Sequence, residues 1–192
     1  MSTAKDEIFE KNVIAATTAW LENMVIGLNL CPFAKAIHVK KQIRFAVSMA
    51  VDCNSLLADF RRELTLLVAA NPEETESTLI IHPAVLGEFL EYNDFLGVCD
   101  GELEEMELDG IVQVASFHPA YQFAGTKADD VTNFTNRSPY PTLHLLRESS
   151  VSRAVAQFPN VEGIYKANVA TMRKVGKTQL ERMMVDWLKL RQ

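Results

Sequence analysis

Two short apolar runs, "STLIIHP" (Ser77–Pro83) and "GIVQVASFHP" (Gly110–Pro119), each end on a histidine followed by a proline. Runs this short and this apolar read as strands covered on both faces. The proline closes each one, because it has no N–H to donate to a neighbouring strand. An alternating segment, "QIRFAVSMA" (Gln42–Ala50), reads as a third strand. Between the strands lie two helical patterns. One is "NSLLADFRRELTLLVAA", with Leu56, Phe60, Leu64 and Leu67 on one face and Asn54 or Ser55 as N-cap. The other is "AVLGEFLEYNDFLGVCDGELEEM", weakest at Gly97 and Gly101. Strand, helix, strand, helix, strand predicts an α/β fold with a βαβαβ core. The sheet is expected to be small and mostly parallel, with three strands or slightly more.

Parallel strands bring their C-terminal ends to one edge of the sheet, where ligand sites of open α/β folds gather. His82 and His118 are expected to end their strands and to face one crevice there. Ahead of the core, Phe9, Val13, Ala16, Trp20 and Met24 form one helical stripe, which Pro32 stops. After it, Tyr121–Tyr140 is a long polar loop pinned by aromatics, a kind that usually carries function. The last quarter is predicted to be all helical: "TLHLLRE" from Thr142, "SVSRAVAQF" to Pro159, a helix closing at Gly176, and an amphipathic segment with Met183, Met184 and Trp187. These helices are expected to pack on the sheet, making one domain of residues 1–192.

Nearly half of the 192 residues are hydrophobic and 23% are charged, which suits a packed core and excludes a disordered chain. The net charge of −6, with no basic stripe, argues against nucleic acid as a partner. The polar N-terminus lacks the pattern of a secretory signal, and no apolar run is long enough to span a bilayer. A cytoplasmic location without membrane association is expected. Cys31, Cys53 and Cys99 lie far apart with no CxxC pair, so no disulfide framework is indicated.

Four strings, "WLENMVIGLNLCPFAKA", "YNDFL", "VQVASFHPAYQFAGT" and "DDVTNFTNRSPYPTLHLLRE", carry a family likeness. Over roughly Asn12 to Val175 the chain resembles the bacterial family called domain of unknown function 1415. The resemblance implies no activity and no catalytic residues. Where members of that family often have "FHPDYQF", this chain has Ala120, so no acid acts at that step.

Three chemistries suit the residues. The first is an enzyme acting on a small anionic molecule that bears phosphate or carboxylate. His118 or His82 would be the general acid/base, as an imidazole titrates near neutral pH. Arg137, with Asn136 and Ser138, would hold the anion through its planar fork. His144 and Arg147, three apart on an expected helix, and Tyr121 would complete the binding set. Cys31 would be the nucleophile if a histidine lies close. The second is a zinc-type site built from His82, His118, His144 and Cys31. The third is a non-catalytic module that docks a partner on the Met183/Met184/Trp187 face. No cofactor motif is present.

Overall fold

The computed structural model describes residues 4–157 and 161–189. Four strands form one sheet in the order β1-β2-β4-β3, with β1 Ile43–Val47, β2 Ser77–Ile81, β3 Val112–Phe117 and β4 Thr142–Arg147. Only β1 and β2 pair in parallel; β4 runs antiparallel to both β2 and β3. The sheet is therefore four-stranded, one strand more than the three read from the sequence, and mixed rather than mostly parallel. The difference is "TLHLLRE", expected as a helix and found as the inserted strand β4. Leu143 and Leu145 are wholly buried on one face, while His144 and Leu146 face the other way. A strand with both faces covered shows an unbroken apolar run, which periodicity cannot tell from a buried helix.

The inserted strand leaves the edge argument intact. Because β2 and β3 both oppose β4, they run in the same direction. His82 and His118, each one residue past its strand, do share an edge.

On one face pack α3 (Cys53–Ala69) and α4 (Phe89–Glu105). They bury Leu56, Phe60, Leu64 and Tyr92 against Ile80, Leu143 and Leu145. Asp52, rather than Asn54 or Ser55, caps α3: its backbone is extended and its carboxylate accepts the Ser55 N–H at 2.8 Å. Gly97 and Gly101 do not interrupt α4.

On the other face lie α1 (Ala4–Trp20), which continues as a π-helical stretch over Leu21–Ile26, and the short α2 (Ala34–Val39). The wide turns are defined by Gly27 N–H donating to the Glu22 carbonyl at 2.9 Å and Leu30 N–H to Val25 at 2.9 Å, both five residues back. A Cβ on Gly27 would sit 2.4 Å from the Asn23 carbonyl oxygen, so only glycine fits that turn. The helix ends at Ile26, six residues before the Pro32 expected to stop it, and the chain then turns through Cys31 and Pro32.

The tail is α5 (Glu148–Gln157), α6 (Val161–Val175) and α7 (Lys177–Lys189); the expected helix end at Pro159 lies outside the described residues. Met172, Leu180 and Trp187 are buried with Trp20 and Met24, and Met183 and Met184 pack against the same cluster. The face expected to dock a partner is thus covered by the chain itself. Among the described residues, no helix is long and apolar enough to cross a membrane.

Candidate functional site

The strand-edge histidines are wholly buried. His82 Nδ1 lies 3.1 Å from the Val85 carbonyl oxygen, and His118 Nε2 lies 3.1 Å from that of Leu86. A carbonyl only accepts, so each of these nitrogens carries the ring proton. His118 Nδ1 in turn accepts the Ala120 N–H at 3.0 Å. The two rings clamp adjacent carbonyls of one loop, in which Leu86 is held at φ 56°, a left-handed conformation unfavourable for leucine. Between them stands Tyr92, 5.8 Å from the His82 ring and 5.1 Å from the His118 ring. Its hydroxyl donates to the Thr142 carbonyl at 2.8 Å and accepts the Phe117 N–H at 3.1 Å. The paired His-Pro endings therefore fasten the β2–α4 loop over the sheet edge.

Burial lowers the His82 pKa to about 4, and it lowers that of His118 as well. Burial alone takes His144 to about 4. A histidine that ionises less readily when folded makes the unfolded chain bind more protons. Stability therefore rises with pH between about 4 and the unfolded value of 6.5. His82 and His144 should each contribute about 3 kcal/mol across that window. Urea unfolding at pH 7 and pH 5 should show the folded state weakened at the lower pH.

The polar loop is held by its own side chains. Arg137 donates from Nε to the Tyr121 carbonyl at 3.3 Å and from Nη2 to that of Ala128 at 2.7 Å, with its guanidinium 4.6 Å from the Phe134 ring centre. Asn136 donates to the Ser116 carbonyl at 3.1 Å, and the Ser138 hydroxyl to that of Tyr140 at 2.6 Å. The Tyr121 ring packs 5.1 Å from Phe89 and 5.0 Å from Phe123. Asn133 fastens the centre of a 3-10 turn, Val131–Asn136. Its carbonyl oxygen accepts from Phe123 N–H and the Thr126 hydroxyl, and its amide donates to Lys127. Asn133→Ala should destabilise the protein by about 2 kcal/mol, from buried groups left unpaired. Hydrogen exchange at the Phe123 amide should quicken most.

Arg147 and His144 lie on β4, so the anion site expected at a helix start near Thr142 does not form. Arg147 Nη2 donates to the carbonyls of Leu67, Ala70 (2.9 Å) and Thr75 (3.2 Å), capping the C-terminus of α3.

The largest departure from expectation is a cavity of about 300 Å³ on the opposite face of the sheet. Its floor follows the strand register. Ile43, Ser77, Leu146 and Gln113 form one row across four strands, and Leu79, His144 and Ala115 belong to the next. Its roof includes Trp20 at the end of α1 and Leu21 and Val25 from the π-helical segment, with half-buried Cys31 in the turn that follows. π-helical turns are rare and occur often at functional sites. The volume lies at the low end for small-molecule pockets, and the wall is largely apolar, as such pockets are.

Five buried side-chain atoms lack a hydrogen-bond partner among the described residues, and three of them, Ser77 Oγ, His144 Nε2 and Arg147 Nε, belong to residues on this wall. His144 stands out among them. It occupies the middle of the floor, and burial is the sole influence on its pKa, with no hydrogen bond or charge to offset it. An unpaired buried polar group of this kind costs about 1–3 kcal/mol. Sequence reasoning placed His144 on a helix and missed the cavity. The available signal was one histidine inside an otherwise apolar run.

Among the described residues, no group of three or more His, Cys, Asp or Glu side chains is arranged to hold a metal ion. The set His82, His118, His144 and Cys31 is divided between two places. The first two lie under the loop on the α4 side, and the last two line the cavity on the other face.

The family model described as "Protein of unknown function (DUF1415)" matches residues 12–182. The chain belongs to that family. No curated protein and no solved structure matches it. The stretch shared with DUF1415 contains every residue of the cavity wall and both clamp histidines.

Proposed function

We propose that this DUF1415 protein binds a small, largely apolar, uncharged molecule in the cavity beneath the π-helical segment, with His144 as its hydrogen-bond partner. The observation that carries this reading is His144 itself: an unpartnered imidazole in the floor of an apolar cavity. Natural sequences place an unsatisfied polar group in a core mainly where function asks for it.

The wall favours a neutral ligand over an anion. Arg147 Nη2 already donates to three backbone carbonyls, which leaves its Nε without a partner among the described residues, and Glu76, 3.3 Å from Arg153, adds a carboxylate to the same wall. A buried anion there would have to share Arg147 with those carbonyls and lie near Glu76, which is costly. Arg137 is likewise engaged with carbonyls of its own loop. A neutral imidazole can accept from a hydroxyl or donate to a carbonyl, so a phenol, alcohol or ketone suits it.

The test is a matched set of probes: 4-pentylphenol, pentylbenzene and 4-pentylbenzoate. The phenol should bind at least ten-fold more tightly than either of the others, about 1.4 kcal/mol, and should protect Cys31 from alkylation. A carboxylate that binds most tightly, or a failure of all three to bind, would overturn the reading.

A further inference from the structure

The clamped loop has a second consequence. Leu86, held left-handed by His118 and its neighbourhood, forms part of the wall of a groove of about 590 Å³ between the N-terminal halves of α3 and α4. Leu57, Leu86, Phe95 and Val98 supply apolar wall, and Glu91 and Asp94 supply acid. Among the described residues, no lysine or arginine lines it. The segments that lead into these helices also expose apolar side chains: Val51 and Leu90 are each 76% exposed and Met49 is 53% exposed. Each belongs to a segment entering α3 or α4, at the same sheet edge. Two further acids, Asp52 and Glu88, stand at the starts of these helices. Hydrogen bonds from Ser55 keep the Asp52 carboxyl below its ordinary pKa, so it stays ionised.

We propose that this groove docks a basic amphipathic helix of a partner protein, which inserts an apolar residue between α3 and α4 and sets lysines or arginines against Glu91 and Asp94. Charge complementarity selects this occupant. An acidic partner segment or an anionic membrane would be repelled, and a purely apolar partner would leave the carboxylates desolvated without a cation. The arrangement is that of helix-in-groove recognition, with apolar anchors flanked by charge. This surface lies apart from the cavity, so it stands or falls independently of the proposed ligand.

The experiment uses the full chain and three synthetic helices: one with leucines on one face and lysines on the other, the same helix with glutamates for lysines, and a scramble of the first that is no longer amphipathic. The leucine/lysine helix should bind at least ten-fold more tightly than either control at low salt. Glu91→Lys with Asp94→Lys should weaken it at least ten-fold. Glu73→Lys with Glu74→Lys, an equal charge change on exposed residues of the α3–β2 turn, should leave affinity within about two-fold. Equal losses in the two double variants would mean general charge attraction, and equal binding of the scramble would mean no groove recognition. Either result overturns the proposal, as does an absence of binding by all three helices.

Discussion

His144→Leu should make the protein more stable while abolishing its selectivity for a ligand that can hydrogen-bond. Leucine is close in size to histidine and brings no polar atom into a site where the imidazole nitrogen has no partner. Removing an unsatisfied buried group should gain about 1–3 kcal/mol, which corresponds to roughly 2–4 °C in Tm per kcal/mol for a chain of this size. The gain should grow as pH falls from 6.5 toward 4, because the variant no longer has a residue whose burial resists protonation. The same variant should lose the preference for 4-pentylphenol over pentylbenzene. Ordinary core residues do not behave so; their replacement destabilises. A loss of stability in His144→Leu would mean that His144 is structural.

His118→Ala should have the opposite character. It removes the partner of the Leu86 carbonyl and of the Ala120 N–H, leaves space beside Tyr92, and frees a loop whose leucine sits in a left-handed conformation. Together these should cost about 3–5 kcal/mol, a large share of the 5–15 kcal/mol typical of a domain. Urea unfolding reads the loss directly. His118→Gln, whose amide can still donate to Leu86, should recover part of it. A His118→Ala protein of unchanged stability would remove the clamp and return the strand-edge histidines to a catalytic role.

Much of the fold was legible in the sequence because local patterns coincided with tertiary structure. The run Ser77–Ile81 is a strand at the residues where its apolar stretch lies, and Gly176 marks a real helix end, whereas the first helix ends at Ile26, short of Pro32. The shared edge of His82 and His118 followed from strand direction. It survived an unforeseen strand because β4 opposes both neighbours. The identity of β4 was hidden: Leu143, Leu145 and Leu146 fill both faces, and Glu148 begins a helix with no turn residue between. The cavity was hidden for a different reason. Its floor joins residues from four strands and its roof comes from a π-helical stretch, and no window of sequence contains that combination. The three expected site groups separated accordingly. His82 and His118 fasten a loop, Arg137, Asn136 and Ser138 fasten another, and His144 with Cys31 lines the cavity.

The most direct measurement is long-range ¹⁵N–¹H NMR of the histidine rings during titration with 4-pentylphenol. The ring nitrogens of His144 should shift with saturation while those of His82 and His118 stay fixed, since only His144 lines the cavity. Binding that leaves His144 unmoved, or that shifts His82 and His118 instead, would contradict the account and place the ligand at the strand edge.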